Sequence, residues 1–116
     1  MKITRLYTGD DNESHFEDSD ISLEDKGPIG RLSAPMQAGS IIFRETGADY
    51  AYDWHPAPRR QFVIMLEGFV DIEVSGGATR RFGPGDILLA EDTTGRGHIS
   101  RAVDGQPRKS VFVTLD

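Results

Sequence analysis

Short apolar segments separated by glycine or proline run from residue 40 to the end of the chain. The segments that we predict as strands in this part are Ile41–Glu45, Tyr50–His55, Gln61–Glu67, Phe69–Ser75, Thr79–Phe82, Asp86–Ala90, Ile99–Val103 and Val111–Leu115. No window of about eleven residues keeps a helical spacing of apolar residues across these turns. Strands this short, with turn residues between nearly all of them, are typical of a β-sandwich or a small β-barrel. We therefore predict an all-β fold.

The first 39 residues are organised differently from the rest. Lys2–Thr8 alternates well enough to be a strand, and residues 27–39, with two prolines and three glycines, are predicted to form an irregular connector. Between them, residues 10–25 hold eight acidic residues and no lysine or arginine. We predict a solvated acidic arm here, with a short edge strand at Ile21 and Leu23. A cation-collecting or partner-binding surface is the alternative.

Length and composition narrow the classes of protein further. A chain of 116 residues is long enough for one core, so we predict one domain, residues 1–116, with a barrel core in residues 40–116. The formal net charge of -6 and the acidic arm argue against a nucleic acid as partner. No segment is apolar enough for a membrane helix or a signal peptide, so we expect a cytoplasmic protein with no membrane partner. Because the chain lacks cysteine, a metal would be held by histidine, carboxylate, amide or water.

The predicted strand Gln61–Glu67 is apolar on both of its faces. One face carries Gln61, Val63, Met65 and Glu67, and the other carries Phe62, Ile64 and Leu66. An ordinary half-exposed strand is apolar on one face alone, so both faces of this strand need cover. Either another sheet of the chain or a second copy of the protein covers the second face. In so short a chain we expect a homodimer.

The preceding strand divides into an aromatic face and a more polar face. Tyr50, Tyr52 and Trp54 lie on the first, and Ala51, Asp53 and His55 lie on the second, because side chains alternate along a strand. If the polar face points into a barrel, it is where a site would lie.

Two segments resemble the motifs of the cupins, a family of small β-barrels. The first cupin motif is G-x5-H-x-H-x3–4-E-x6-G. Aligned on its final glycine, Gly68, it places His55 at the first histidine, Ala57 at the second and Gln61 at the glutamate. One metal ligand of the motif is therefore removed here, and another is changed to an uncharged amide.

The second cupin motif is G-x5-P-x-G-x2-H-x3-N. Its opening glycine, aspartate and strand resemble residues 85–90, and His98 resembles its histidine. The loop of residues 91–98 is two residues longer than the motif and lacks its proline, and the asparagine position falls on Ala102. The resemblance covers residues 41–113 and implies the double-stranded β-helix, or jelly roll, of this family.

The resemblance also implies a site inside the barrel, where cupins bind one metal ion. His55, Gln61 and His98 would be the ligands, with Asp53 as a further ligand or as the carboxylate that orients an imidazole. The expected ion is divalent zinc, nickel, iron or manganese. The alternative is a metal-free polar cavity in which the two histidines are hydrogen-bonded to each other, to Gln61 or to water.

Other residues are candidates for binding or catalysis. His98 is the candidate general acid or base, because imidazole gains and loses a proton near neutral pH. The candidate ligand-binding residues are Arg59, Arg60, Arg96, Trp54 and Met65. The three arginines, if placed at the barrel mouth, would favour a carboxylate or a phosphate. The alternative is that they pair with the acidic arm or contact solvent.

Three functions are compatible with these residues. The first is a small cupin barrel that binds a small anionic organic molecule, with or without a divalent metal. The second is a metal-dependent enzyme, a dioxygenase or an isomerase, that uses His55 and His98. The third is a protein-interaction module with an inert barrel. Because one fold hosts many activities, the resemblance does not choose among them.

Overall fold

The computed structural model describes residues 1–115 and is almost entirely β-structure, which confirms the predicted all-β class. The strands are β1 (Lys2–Thr8), β2 (Ser14–Asp20), β3 (Glu24–Asp25), β4 (Arg31–Leu32), β5 (Ile41–Thr46), β6 (Ala51–His55), β7 (Gln61–Glu67), β8 (Val70–Glu73), β9 (Thr79–Phe82), β10 (Ile87–Glu91), β11 (His98–Ala102) and β12 (Arg108–Thr114). One short 3-10 turn, Gly27–Ile29, separates β3 from β4. Within the described residues no helix has the length and hydropathy needed to cross a membrane.

The strands form two main sheets. The larger sheet has six strands in the order β2-β1-β10-β7-β12-β5, and the smaller has four in the order β6-β11-β8-β9. From β5 onward the chain passes repeatedly between the two sheets. The hydrogen-bonded ladders do not close into a continuous barrel, because β2 and β5 are edges of the larger sheet and β6 and β9 are edges of the smaller one. β3 and β4 form a separate two-stranded ladder.

Most predicted strands lie within a few residues of the observed ones, and the main difference is in the acidic arm. Its residues 14–20 form β2, which pairs along its whole length with β1. The predicted edge strand at Ile21 and Leu23 is wrong, because both residues lie outside the strands. Two of the acidic side chains of β2 lie beside arginines. Asp18 accepts a hydrogen bond of 2.7 Å from Arg80, and Glu17 lies 3.6 Å from the Arg5 guanidinium.

The hydrophobic core lies between the two main sheets. The larger sheet contributes Leu6, Met65 and Leu88, and the smaller contributes Val70, Ile72 and Phe82. Strand β7 turns Gln61 and Met65 inward, where they are buried, while Phe62 and Ile64 lie on its outer face and are half-buried. Residues 33–36 of the connector line shallow grooves over that outer face. Part of the cover that the second face of β7 needs therefore comes from the chain itself, and the homodimer stays a prediction.

Candidate functional site

A cavity of about 260 Å³ lies between the two sheets, beside the core. Its polar lining residues are Arg44, Tyr50, Tyr52, His55, Gln61, His98, Ser100 and Arg108, and its apolar ones include Val63, Ile72, Leu88 and Phe112. At roughly 30 Å³ for each water molecule, this is space for about nine waters. A cavity of this size suits a small organic molecule.

The structure brings His55 and His98 together inside this cavity. They are opposite each other in the ladder between β6 and β11, and their ring centroids are 4.5 Å apart. A bulge follows, since Ser100 pairs with Tyr52, so that two steps on β11 match three on β6. The extra residue places Tyr52 on the same face as His55, with ring centroids 3.8 Å apart. The simple alternation that we predicted for β6, with Tyr50 and Tyr52 facing away from His55, is therefore wrong.

A buried carboxylate fixes the ring of His98. Asp92 is 0% exposed, and its Oδ2 accepts hydrogen bonds from Ser14 Oγ at 2.7 Å and from His98 Nδ1 at 2.6 Å. The bond to the carboxylate assigns the proton of His98 to Nδ1, which leaves Nε2 as the atom available to a ligand. Because Ser14 donates to Asp92 rather than to His98 Nε2, these three residues do not form the triad of a serine hydrolase.

His55 is held in a similar way by the main chain. Its Nδ1 donates to the carbonyl oxygen of Asp53 at 2.7 Å. Burial lowers the pKa of His55, and the neighbouring His98 acts in the same direction, whereas the bond to Asp53 opposes both. Gly97 allows β11 to begin this close to β6. Its φ is +80°, and a Cβ atom at this position would clash with the carbonyl oxygen of His55.

Two arginines that were not predicted as site residues line the cavity. Arg44 lies on β5 and Arg108 at the start of β12, and Arg108 is only 7% exposed. The Arg108 Cζ lies 4.8 Å from the centroid of the Tyr50 ring, and the Arg44 Cζ lies 5.3 Å from it. Within residues 1–115 neither guanidinium has a carboxylate within 4.0 Å. Burial lowers the pKa of Arg108, and the like charge of Arg44 acts in the same direction, whereas the charge of Tyr50 and a side-chain hydrogen bond to it oppose both.

Hydroxyl groups on the same two strands also lack partners. Thr46 is opposite Arg108 in the ladder between β5 and β12, and Ser110 is opposite Arg44. Among the described residues, Thr46 Oγ1, Ser110 Oγ and Arg108 Nη1 are buried without a hydrogen-bond partner. Buried polar atoms are rarely left in this state, so three of them together indicate a polar ligand or ordered water on this face. Of these residues, Arg44 and Arg108 line the cavity, and we call these two the arginine end of the cavity.

The predicted arginines lie elsewhere. Arg59 is exposed, Arg60 donates a hydrogen bond of 2.7 Å to Glu91, and the Arg96 Cζ stacks 3.9 Å from the centroid of the Trp54 ring. None of these four side chains that we predicted as ligand contacts lines the cavity, because Arg60 and Glu91 face out from the larger sheet and Trp54 faces away from His55.

Of the remaining predicted residues, one lines the cavity and two do not. Gln61 is buried and lines the cavity beside the histidines, whereas Met65 packs in the core cluster. The Asp53 carboxylate accepts the main-chain N–H of Trp54 at 2.8 Å, and only the carbonyl oxygen of Asp53 reaches His55. In the described part of the chain no three histidine or acidic side chains are grouped as a metal site would require. The residues nearest to such a set are His55, His98 and the Gln61 amide.

Sequence reasoning missed Asp92 and the two arginines of the cavity. Asp92 begins the loop that precedes His98, and no local pattern marks it as buried. The alternation of Arg108, Ser110, Phe112 and Thr114 along β12 is a signal that was present, since these residues share one face. It was missed because the predicted strand began at Val111.

Comparison with known proteins informs the fold alone. No family model matches the chain, and no curated protein matches it significantly. Protein NMB1881 from Neisseria meningitidis is similar in structure, with a TM-score of 0.52 and 16% identity over 66% of this chain and 72% of that one. SPY1581 from Streptococcus pyogenes, a conserved protein of unknown function, has a TM-score of 0.53 and 18% identity over 73% of this chain and 69% of that one. At these identities the likeness shows the fold alone.

Proposed function

We propose that this chain is a small-molecule-binding protein of cupin type whose cavity holds a small organic carboxylate. The two sheets would be those of a double-stranded β-helix. From β5 to β12 the chain changes sheet at every step except from β8 to β9, which supports this assignment, as do the paired positions of His55 and His98. The ligand would lie between the sheets, in contact with both.

The observation that carries the proposal is the arginine end of the cavity. A buried cation without a counter-charge is costly, and contact with aromatic rings offsets only about 1–2 kcal/mol of that cost. A carboxylate would accept charge-assisted hydrogen bonds from Arg108 and Arg44. A ligand anion therefore supplies what the chain itself lacks at this position.

The rest of the cavity indicates what the ligand would carry besides its charge. The middle is lined by Val63, Ile72, Leu88 and Phe112, which suit an apolar or aromatic body. The far end presents the His98 and His55 Nε2 atoms and the Gln61 amide, which suit a neutral hydroxyl or carbonyl group. The ring centroids of Tyr50 and Tyr52 are 6.4 Å apart and those of Tyr52 and His55 are 3.8 Å apart, so the Tyr50 ring, which both arginines contact, lies within about 10 Å of the His55 ring. We infer a ligand with an anionic end, a short apolar body and a polar end.

Titration calorimetry with benzoate and with benzamide tests the proposal. The two probes are nearly equal in size, and only benzoate is charged. We expect the unmodified chain to bind benzoate at least ten times more tightly than benzamide, and we expect Arg108→Met to reduce the affinity for benzoate at least tenfold. Arg59→Met is the matched control, because Arg59 is exposed and lies outside the cavity. Its affinity should equal that of the unmodified chain.

Two results would overturn the proposal. One is a chain that binds benzoate no more tightly than benzamide, or that binds none of the three carboxylates acetate, benzoate and phenylacetate. The other is loss of benzoate binding in Arg59→Met with retention in Arg108→Met, which would move the anion site to the exposed arginines.

A divalent metal on the two histidines is the second candidate function. Both rings use Nδ1 for bonds to the protein, so that both Nε2 atoms are left for an ion, with the Gln61 amide oxygen as a third donor. Such a set is weaker than three histidines and a carboxylate. Elemental analysis after dialysis against zinc should give one zinc per chain, retained in His15→Ala and lost in His98→Ala. Equal zinc in the two variants, or none in the unmodified chain, would exclude this site.

A further inference from the structure

A continuous stretch of the chain lies on the surface with its apolar side chains uncovered. Every residue from 24 to 43 is exposed, and we call these twenty residues the exposed segment. Its large apolar side chains are Ile29, Leu32, Met36, Ile41, Ile42 and Phe43, of which Ile29 and Phe43 are 75% and 76% exposed. Single exposed apolar residues are common, but six in one segment mark an interaction surface.

The area of the chain agrees with a surface that is meant to be covered. Its accessible surface is 6989 Å². A monomer of this mass exposes about 6,300 Å², so the excess is roughly 700 Å². A stable protein interface buries about 800 Å² on each partner. The radius of gyration of 14.7 Å also exceeds the roughly 13.4 Å of a compact domain of this length.

The end of the exposed segment is also a sheet edge that invites pairing. Strand β5 bonds to β12 on one side and is the last strand of the larger sheet on the other. Ile41 and Phe43 lie on its outer face, opposite in direction to Arg44, which lines the cavity. The first three residues of this edge strand are apolar and exposed, and Glu45 is the exposed charge at its other end, so the apolar part of the edge is a site for pairing with another chain.

Charge distinguishes this edge from the opposite edge of the same sheet. Strand β2 carries Glu17, Asp18 and Asp20, so two copies meeting there would place carboxylates against carboxylates. The exposed segment contains Glu24, Asp25, Lys26 and Arg31 and is formally neutral. Two copies of a chain with a net charge of -6 can therefore meet at the exposed segment without local repulsion.

We propose that a second copy of this chain covers the exposed segment and the free edge of β5, and that the two form a two-fold symmetric dimer. The inference rests on the outer surface and does not depend on what the cavity binds. It does connect the two regions, since β5 carries Phe43 in the interface and Arg44 in the cavity.

Sedimentation velocity from 1 to 200 µM tests the dimer with the full chain. We expect a species of twice the 12.8 kDa monomer mass whose fraction rises with concentration. Phe43→Glu should raise the dissociation constant at least tenfold, because the carboxylate would be buried against an apolar partner. Phe43→Leu is the matched control and should still form a dimer. Because Phe43 is exposed in the monomer, circular dichroism of both variants should match that of the unmodified chain.

Hydrogen exchange of the unmodified chain provides a second measurement that needs no variant. Amides of β5 should exchange more slowly at 200 µM than at 1 µM, while those of β2 should not change. A chain that is monomeric at 200 µM would overturn the proposal. So would a dimer that Phe43→Glu leaves intact, or concentration-dependent protection on β2 instead of β5.

Discussion

Replacing Arg108 by methionine is expected to stabilise the ligand-free chain while it removes carboxylate binding. Arg108 is 7% exposed, and its Nη1 has no partner within residues 1–115. Leaving such a group buried costs about 1–3 kcal/mol, and replacing buried charges by apolar side chains of similar size is often stabilising by about 1–4 kcal/mol. Methionine is flexible and of similar length, so it can fill the same space.

The gain in the free energy of unfolding is reduced because the substitution removes a favourable contact of Arg108. Its contact with the Tyr50 ring is worth about 1–2 kcal/mol in a partly dry site. We therefore expect a net gain of about 1 kcal/mol, which raises Tm by about 4–6 °C for a domain of this size.

Urea unfolding with and without benzoate measures both effects. For the unmodified chain, a ligand present at ten times its dissociation constant adds about 1.4 kcal/mol to the free energy of unfolding. Arg108→Met should start about 1 kcal/mol higher and gain nothing from benzoate. Arg59→Met should stay within about 0.5 kcal/mol of the unmodified chain in both conditions. A loss of 2 kcal/mol or more in ligand-free Arg108→Met would refute the reasoning, because it would mean that the protein itself satisfies the guanidinium.

Three further substitutions test the supports of the site by urea unfolding. Asp92→Ala should lower the free energy of unfolding by about 2–4 kcal/mol, because it leaves the buried donors of Ser14 and His98 without an acceptor; a loss below about 1 kcal/mol would argue against the network. Glu91→Gln should lower it by about 1–2 kcal/mol at pH 7. Burial raises the pKa of Glu91, but its two arginine partners lower it more, to below the usual 4.5, so this difference should shrink as the pH falls through that lowered pKa; a difference that persists in acid would contradict the assignment. Gly97→Ala should lower it by at least about 2 kcal/mol, because alanine is strained at φ +80° and meets the backbone of His55; an unchanged chain would show that β11 does not approach β6 this closely.

Much of the fold was readable in the sequence because turn residues separate its strands. The bounds of β1, β7 and β9 agree with the predicted ones, because a glycine directly follows each of these strands. Strand β2 was not readable, because three carboxylates in seven residues are unfavourable in an isolated strand. It forms because β2 pairs with β1 along its whole length and packs Phe16 against the core, whose residues are distant in sequence.

The histidines of the site were predictable because sequence motifs mark them. The arginines were not, because the register between β5 and β12 determines which of their side chains face the cavity. His55 and His98 are two of only three histidines, so their convergence could be inferred from the motifs. No sequence motif marks Arg44 or Arg108. The ladder between β5 and β12 places both on one inner face. Arg59 and Arg60 are close to Gln61 in sequence, but they lie in the loop before β7 and do not line the cavity.

A crystal structure of the chain with 4-bromobenzoate is the most direct test of the carboxylate site. The bromine gives an anomalous signal that fixes the orientation of the probe. We predict the carboxylate within hydrogen-bonding distance of Arg108 Nη1 and the bromine directed toward His55 and His98. A probe bound only outside the cavity, or one with its bromine against Arg108 and its carboxylate away from both arginines, would contradict the account.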